Sequence, residues 1–284
     1  MGPDDTLSED FEYTIAMCNL NNENTLKESI RSIASQVDDR FELLIVDDGS
    51  TDGSLSILES LESRIPNLRY VIGSNTNLGE ARNHSFREAN GNHILESLDL
   101  DDKYNRGILD FVELYERLRD NIEKDFYLKG NSINIAPKDL LQEYPYRSMR
   151  YGEDTDLWRR LFADEKIIWL DHEPFYEQLR DDYTLIERMS NIYKKTIVDF
   201  RSGISFWSFI HYCMKNMRKN ADRNSYLLTI SLPAYLSAIR SGRFDPPSHR
   251  FRKKGALKRA INDKKINIKD LESRYGISTD DIDI

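Results

Sequence analysis

The residues most able to do chemistry are aspartates placed directly after two apolar runs. Asp47 and Asp48 follow the run "FELLIV", and the segment "LDLDD" that follows "HILES" carries Asp99, Asp101 and Asp102. Neighbouring carboxylates repel one another, so packing gives no reason for three of them within four residues. Asp-x-Asp spacing suits a divalent cation such as Mg²⁺ or Mn²⁺, which prefers oxygen ligands. The alternative is a solvated turn in which aspartates bond to the backbone.

A second acidic pair, Glu153 and Asp154, opens the segment "GEDTDLWRRLFA", whose apolar spacing predicts a helix. Acidic side chains at a helix N-terminus are favoured by about 0.3–1 kcal/mol, which is a sufficient structural reason for the pair. The functional alternative is a general base, a carboxylate that takes a proton from a reacting hydroxyl. Arg82, in "NLGEARN", is a candidate phosphate contact or simply part of a surface helix.

The elements that must position these residues follow from hydrophobic periodicity. Short apolar runs predict strands, and amphipathic spacing predicts helices between them. The strands are predicted over 13–18, 41–46, 68–72 and 93–98. Such alternation is typical of βαβ units, so we expect an α/β fold with a Rossmann-like, mostly parallel sheet flanked by helices. Both aspartate groups then lie at the carboxyl ends of strands, the edge where open α/β sheets bind ligands.

Composition indicates a globular protein in a reducing compartment. The 284 residues are 39% hydrophobic and 31% charged, and the two cysteines provide no disulfide framework. No stretch reaches the length of a membrane span, and the acidic first ten residues do not resemble a signal peptide. We expect a cytoplasmic protein with a flexible tail (1–10), an α/β domain (11–184) and a mainly helical, basic C-terminal region (185–284).

The C-terminal region carries an unusual charge. Residues 201–260 hold thirteen basic and two acidic residues, a net of +11, which leaves −20 for the rest of the chain. An anionic partner is therefore expected, and one hypothesis is a peripheral position on an anionic membrane, with aromatic residues such as Trp207 and Phe209 entering the interface. The alternative is core helices with solvated basic faces. Nucleic acid is not expected, since no nucleic-acid-binding motif is present.

Five segments in order resemble a family 2 glycosyltransferase with the GT-A fold, over about residues 13–184. The family opens with a strand and a helix ending in Ser-x-x-x-Gln, here "SIASQ", followed by the acidic loop "VDDGSTD". Next come "NLGEARN", the strand leading into "LDLDD", and the helix that opens in "GEDTDLW". Each segment is common alone, but the ordered set is specific.

The resemblance implies a metal-dependent, inverting, hexosyltransferase-like enzyme. Such an enzyme moves a sugar from a nucleotide-diphospho-sugar donor to a hydroxyl of a glycan or lipid-linked acceptor. By this resemblance Mn²⁺ or Mg²⁺ is held by Asp99 and Asp101. Asp154 is the general base, with Glu153 as the second choice. The implied contacts with the donor nucleotide are Cys18, Asn21, Asp48, Arg82 and Asp99.

Two positions depart from the family's usual pattern. Leu20 stands where the family places an aromatic residue in the first loop, and Leu179 stands near a His that many members use to bind metal or diphosphate. His172 is an alternative for that His. A second hypothesis for the function is therefore a degenerate GT-A domain that binds nucleotide-sugar or a partner without turnover. A nucleotidyltransferase fits poorly, because "CNLNNEN" is not a Gly-rich, basic loop.

Overall fold

The computed structural model describes residues 11–149, 151–180, 184–244 and 251–284. Strands and helices alternate in the first part of the chain: β1 (Tyr13–Asn19), α1 (Leu26–Ala34), β2 (Phe41–Asp47), α2 (Ser54–Glu62), β3 (Leu68–Ile72), α3 (Leu78–Glu88) and β4 (His93–Glu96). The middle part contains β5 (Asp102–Tyr104), α4 (Ile108–Asn121), β6 (Tyr127–Lys129), β7 (Asn134–Pro137), α5 (Lys138–Glu143), α6 (Glu153–Ala163), β8 (Ile167–Trp169) and β9 (Tyr176–Gln178). The C-terminal part is helical: α7 (Leu185–Arg201), α8 (Phe206–Lys215), α9 (Ala221–Ser241), α10 (Ala256–Lys264) and α11 (Ile268–Tyr275).

Seven strands form one sheet in the order β3-β2-β1-β4-β7-β6-β8. β1 pairs in parallel with β2 and with β4, β2 pairs in parallel with β3, and β6 pairs in parallel with β8. Within this sheet of the described residues only β7 runs antiparallel to its neighbours, which are β4 and β6, and a separate two-stranded sheet pairs β5 antiparallel with β9. The predicted α/β fold with a mostly parallel sheet is therefore confirmed. Because β2 and β4 flank β1, the strand order reverses at β1, which is the position where such sheets form a ligand crevice.

Helices cover both faces of the sheet, and the strands alternate between the two layers. Leu43 and Ile45 of β2 belong to one core, with side chains of α1, α2 and α4, whereas Leu44 belongs to the other, with side chains of α3, α5 and α6. Every residue of β2 is buried, as expected for a central strand of a parallel sheet.

The fourth predicted strand is shorter than expected. It ends at Glu96 rather than Leu98, because Ser97 adopts a left-handed backbone conformation with φ 66°. A left-handed residue cannot continue a strand, so the chain turns here and carries the aspartates that follow away from the sheet. Non-glycine residues in this region are uncommon and often lie at functional sites.

The helices α7, α8 and α9 pack around a separate apolar cluster that includes Phe200, Phe209 and Cys213. Phe209 is fully buried there, so its expected insertion into a membrane is wrong, whereas Trp207 is 76% exposed. The core-helix alternative therefore describes Phe209. Among the described residues, no helix is both long and apolar enough to span a bilayer.

Residues 266–284 return to the amino-terminal part of the chain. Ile266 bridges to Leu170, and Leu271 and Ile277 are buried in the same core as β1, α1 and α4. Arg117 of α4 also binds Asp281, with nitrogen–oxygen distances of 2.7 and 2.8 Å. The domain boundary at residue 184 stays a prediction, but the segment beyond α10 belongs structurally with the sheet.

Candidate functional site

A cavity of about 230 Å³ lies at the carboxyl ends of β1 and β2, beside the N-terminus of α3. We call it the Asp48 cavity; its lining includes Cys18, Leu20, Asp48, Thr76 and Tyr151. Asp48 is buried, and its two carboxylate oxygens accept the backbone N–H of Thr76 at 3.1 and 3.3 Å. One such bond leaves most of the carboxylate's acceptor capacity unused, so Asp48 can also accept a hydrogen bond from a ligand N–H.

The loop beside this cavity is held by its own side chains. Asp47 accepts hydrogen bonds from the backbone N–H of Gly49 at 3.1 Å and of Ser50 at 2.9 Å. Asn21 donates its N–H to the Ser50 hydroxyl and accepts the N–H of Thr51 at 2.8 Å. Asp47 therefore shapes the loop after β2, and Asn21 joins that loop to the loop after β1. Asn21 is not among the residues that line the Asp48 cavity.

The three aspartates after β4 lie together. Carboxylate oxygens of Asp99, Asp101 and Asp102 lie within 4.8 Å of one another, and we call these residues the acidic cluster. Burial and the charges of Asp101 and Asp99 raise the pKa of Asp102 to about 7. Solvent reaches part of Asp99, but the surrounding protein atoms raise its pKa through desolvation, with Arg82 opposing and Asp101 adding to the effect.

Helix α1 fixes the turn that carries the acidic cluster. The Ser32 hydroxyl accepts the N–H of Tyr104 at 2.9 Å, and the Gln36 amide donates to the Tyr104 carbonyl at 3.1 Å. Tyr104 in turn accepts the Asp99 N–H on its hydroxyl at 2.7 Å, and Thr25 donates to the Leu100 carbonyl at 2.8 Å. Ser32 lies in α1 and Gln36 just beyond its end, and because both bind Tyr104 the Ser-x-x-x-Gln segment positions the turn that carries the aspartates.

A cation already faces the acidic cluster from β9. This strand pairs antiparallel with β5, and Arg180 just beyond it places Nε 2.8 Å from Asp101 Oδ2. The charge of Arg180 offsets only part of the repulsion among the three carboxylates, which raises the pKa values of Asp99 and Asp102. Three carboxylates this close fit a divalent cation. His172 does not belong to the acidic cluster, since its ring nitrogens bond to the Asn131 N–H and the Glu173 carbonyl, and its role at the metal stays a prediction.

Arg82 lies in a buried polar network centred on Glu96. Arg82 Nη1 donates to Glu96 at 2.6 Å and to the Ser97 hydroxyl at 3.1 Å. Glu96 also accepts hydrogen bonds from Tyr127, Asn134 and Tyr146. Burial opposes the charge of Arg82, but Tyr146, Glu96 and Glu153 raise its pKa well above the usual range. Its implied role at the nucleotide stays a prediction, and its observed partners are protein groups.

Glu153 and Asp154 form the first turn of α6, as expected from the sequence. Glu153 is buried, with one carboxylate oxygen 4.0 Å from Arg82 Nη2, and burial raises its pKa to about 7 against the opposing charge of Arg82. Asp154 is half-buried, and its Oδ1 accepts the N–H and hydroxyl of Thr155. The more open of the two carboxylates is therefore Asp154, and its role as the base stays a prediction.

Several residues of the site were missed from the sequence. Tyr151 lines the Asp48 cavity and supplies an aromatic ring beside Leu20, which stands where the family pattern has one. Glu96 carries the buried network, and Arg180 pairs with the acidic cluster. The signal for Glu96 was a carboxylate inside an otherwise apolar strand; no comparable pattern marks Tyr151 or Arg180.

Residues 14–179 match the family described as Glycosyl transferase family 2. A cholesterol galactosyltransferase of Borreliella burgdorferi is 28% identical over 135 residues, which cover 46% of this chain and 37% of that protein. The crystal structure of S. aureus TarS 1-349 in complex with UDP-GlcNAc is 16% identical, with a TM-score of 0.53 over 89% of this chain and 80% of that one.

The mannosyltransferase PcManGT from Pyrobaculum calidifontis, in complex with GDP-Man and Mn²⁺, is 15% identical with a TM-score of 0.53, over 89% of this chain and 86% of that one. At this identity the two structures show a shared fold, the GT-A fold predicted from the sequence. The family match spans more than half of the chain and contains the Asp48 cavity's strands, the acidic cluster and α6. The chain therefore belongs to glycosyl transferase family 2.

Proposed function

We propose that this chain is a metal-dependent, inverting glycosyltransferase that moves a sugar from a nucleotide-diphospho-sugar to an acceptor hydroxyl. The observation that carries the proposal is the position of Arg82 between the Asp48 cavity, the acidic cluster and the first turn of α6. Its charge acts on Asp99 and on Cys18 of the Asp48 cavity, and its guanidinium lies 4.0 Å from Glu153. A donor pocket, a metal site and a base would then lie at one edge of the sheet.

The donor nucleotide occupies the Asp48 cavity in this proposal. Asp48 accepts an N–H of the nucleobase, and Tyr151 offers a ring for stacking, a contact worth about 0.5–1.5 kcal/mol between aromatic groups. Lys194 lies 4.3 Å from the Tyr151 ring centre and donates to its hydroxyl, which fixes the orientation of the ring. The UDP-GlcNAc bound by TarS supports a nucleotide-sugar as the ligand.

The acidic cluster would hold the metal ion through Asp99 and Asp101. When bound, Mn²⁺ or Mg²⁺ supplies positive charge that offsets the negative charge of the leaving diphosphate. The Mn²⁺ in the related mannosyltransferase structure supports this assignment. Arg180, already paired with Asp101, adds a second positive charge at the same place.

In the proposed chemical step Asp154 is the general base. Its carboxylate accepts the proton of the acceptor hydroxyl while that oxygen attacks the anomeric carbon, and a new C–O bond forms. The bond from the anomeric carbon to the diphosphate oxygen breaks on the opposite face, and its electron pair stays with the diphosphate. The product then has inverted configuration. Glu153, buried beside Arg82, is in a position to hold the N-terminus of α6 rather than to meet the acceptor.

Two measurements test the proposal. Incubation with a panel of nucleotide-sugars and Mn²⁺ should release nucleoside diphosphate, and this release should stop with EDTA. Asp101→Ala should abolish metal-dependent nucleotide binding in calorimetry, whereas the exposed control Asp120→Ala should bind like the wild type. Metal-independent binding in Asp101→Ala would remove the metal assignment. Binding without release for every donor would favour a domain without turnover.

The acceptor is proposed to be a glycan or a lipid-linked glycan met at the cytoplasmic face of a membrane. Both cysteines are free, which fits a reducing cytosol. Exposed apolar side chains on α8 and α9 support a peripheral contact: Trp207, Met214, Leu232, Leu236 and Ile239. The surrounding basic residues of 201–260 would meet anionic headgroups, each worth about 1 kcal/mol near the surface.

Vesicle co-sedimentation of the full chain tests this contact. The protein should pellet with phosphatidylglycerol vesicles at low salt, and less with phosphatidylcholine. Trp207→Ser with Met214→Ser should reduce the pelleted fraction. The control pair Leu55→Ser and Ile72→Ser, on exposed positions near the sheet, should not. Equal pelleting of both double variants would leave these helices without a role at the membrane.

A further inference from the structure

A second cavity, of about 420 Å³, lies among α6, α7, α8, α9 and the start of α10. We call it the Asp199 cavity, after the one acidic side chain in its lining. Its size falls within the range of small-molecule sites, roughly 300–1,000 Å³. Arg159 and Lys254 line it beside Asp199, and five further basic side chains line it as well: Lys195, Lys219, Arg223, Lys253 and Lys258.

This cavity has many more basic side chains than acidic side chains that could neutralise them. Asp199 is buried, which alone would raise its pKa, but Lys254 and Arg159 bind it directly and lower the pKa below the usual range. That carboxylate is thus already shared between two cations. Among the described residues, no carboxylate forms an ion pair with Lys219, Arg223 or Lys258, so the cavity keeps a strong excess of positive charge.

Arg159 provides a second, independent observation. Its side chain is almost fully buried, and one nitrogen binds Asp199. The other two nitrogens, Nε and Nη1, have no hydrogen-bond partner among the described residues. Guanidinium groups are suited to oxygen anions that accept two parallel hydrogen bonds, and a buried donor without an acceptor is costly. Such an unsatisfied Arg beside a cavity is a reason to expect an oxyanion there.

The backbone of α10 adds donors to the same cavity. Gly255, with φ 80°, precedes the helix, and Leu257 and Lys258 of its first turn line the cavity. The first backbone N–H groups of a helix lack intrahelical acceptors and favour anions. Because Gly255 has no side chain, the Tyr212 ring can pack against its backbone; a Cβ here would lie 2.7 Å from that ring.

The Asp199 cavity is connected to the proposed active site through α6. Thr155 and Arg159, which line it, lie on the helix whose first turn carries Asp154, and Arg159 is about 7.5 Å further along the axis at 1.5 Å per residue. The charge of Lys195 also acts on Glu153. None of the residues lining this cavity lines the Asp48 cavity or belongs to the acidic cluster.

From this geometry we infer that the Asp199 cavity binds a phosphate or diphosphate group of the acceptor. The inference rests on the proposed function, which places the acceptor hydroxyl at Asp154 and the donor diphosphate at the acidic cluster. A phosphate-bearing acceptor would then be anchored about one and a half helical turns from the hydroxyl that reacts. The positive charge of the cavity would separate such acceptors from neutral sugars.

Calorimetry with pyrophosphate and with inorganic phosphate, in EDTA and at low salt, tests the inference on the full chain. The wild type should bind pyrophosphate saturably. The variant Lys219→Gln, Arg223→Gln, Lys258→Gln should bind it at least roughly tenfold more weakly, the size of one lost charge-assisted hydrogen bond. Unchanged affinity in this variant would overturn the inference.

The control variant Lys215→Gln, Arg218→Gln, Arg240→Gln removes the same charge from exposed positions outside the cavity. It should bind pyrophosphate within about twofold of the wild type, because none of these three side chains lines the cavity. An equal loss in the two triple variants would mean a diffuse charge effect and would also overturn the inference. Asp101→Ala should keep its pyrophosphate affinity; a loss there would move the binding to the donor site.

Two further measurements identify the source of the phosphate and distinguish failure of the phosphate site from failure of the proposed function. If pyrophosphate and phosphatidylglycerol vesicles compete for the protein, the bound phosphate is that of a lipid headgroup. If they bind independently, the phosphate belongs to a molecule outside the bilayer. Either result supports the site. Loss of vesicle binding alone in the cavity variant would overturn it. Hydrolysis of the donor by water needs no acceptor, so release of nucleoside diphosphate should persist in the cavity variant. If the wild type itself releases none, the proposed function is refuted and the phosphate site is not.

Discussion

The buried network around Glu96 leads to a quantitative prediction for Glu96→Gln. Glu96 is 1% exposed and accepts hydrogen bonds from Arg82, Tyr127, Asn134 and Tyr146. The variant removes the carboxylate that binds Arg82 at 2.6 Å and leaves Arg82 with Glu153 at 4.0 Å. It also points an amide donor at groups that are themselves donors. Breaking a buried ion pair on one side costs about 3–5 kcal/mol.

That cost converts into a measurable shift of the melting temperature. At about 2.1 cal/mol/K per residue, unfolding of 284 residues has an entropy of about 0.6 kcal/mol/K. A loss of 3–5 kcal/mol then lowers the Tm by about 5–8 °C. Thermal unfolding followed by circular dichroism measures it, with the exposed Glu59→Gln as a control that should shift the Tm by less than about 1 °C.

A double variant makes the reasoning stricter. Arg82→Leu with Glu96→Leu removes both charges, and replacement of a whole buried pair by apolar residues is often neutral. The double variant should therefore be more stable than the sum of the two single changes implies. A Tm shift below about 2 °C for Glu96→Gln, or full additivity in the double variant, would refute the claim that this pair is coupled.

Three further changes test other parts of the site. Asp154→Asn should lower kcat by about 10²–10⁴-fold with little change in donor KM, and turnover within a factor of a few would reduce Asp154 to a helix-capping acid. Glu153 has a folded pKa of about 7 against 4.5 when unfolded, so its contribution to stability is present below pH 4.5 and lost as the pH rises through 7. Glu153→Gln should therefore gain about 3 kcal/mol over the wild type from pH 4.5 to 8, measured as Tm against pH, and a pH-independent difference would contradict this. Gly79→Ala should destabilise the fold by about 1–3 kcal/mol in urea unfolding, because its Cβ would lie 2.2 Å from the Arg147 carbonyl oxygen; wild-type stability would mean that this loop moves freely.

Local sequence patterns were sufficient to predict the first four strands and the position of the aspartates. The apolar runs of β1, β2 and β4 are bounded by loop residues, and parallel pairing brings their carboxyl ends to one edge of the sheet. Asp48 and Asp99 could therefore be assigned to the same edge of the sheet without knowledge of any side-chain contact. The helix that begins at Glu153 was equally visible, because its apolar residues repeat at helical spacing.

The remaining parts of the site depend on contacts between distant segments. β5 and β9 are three residues each, and the pairing of Asp102 with Gln178 is what brings Arg180 to Asp101. No periodicity marks strands so short. The sequence left the surroundings of Phe209 open for a related reason, since a short apolar run looks the same whether a membrane or other helices cover it. The burial of Arg159 likewise arises only when α6, α7 and α10 are assembled.

The return of residues 266–284 to the sheet has a consequence for how the chain folds during synthesis. Leu271 and Ile277 complete a core whose other members, such as Tyr13 and Phe41, leave the ribosome more than two hundred residues earlier. Until α11 has been synthesised, that core has an exposed apolar face, although α7 to α10 have already been made. The core can therefore complete its packing only after residues 266–284 have been synthesised, and a stop codon in α10 should yield aggregated protein rather than a smaller enzyme.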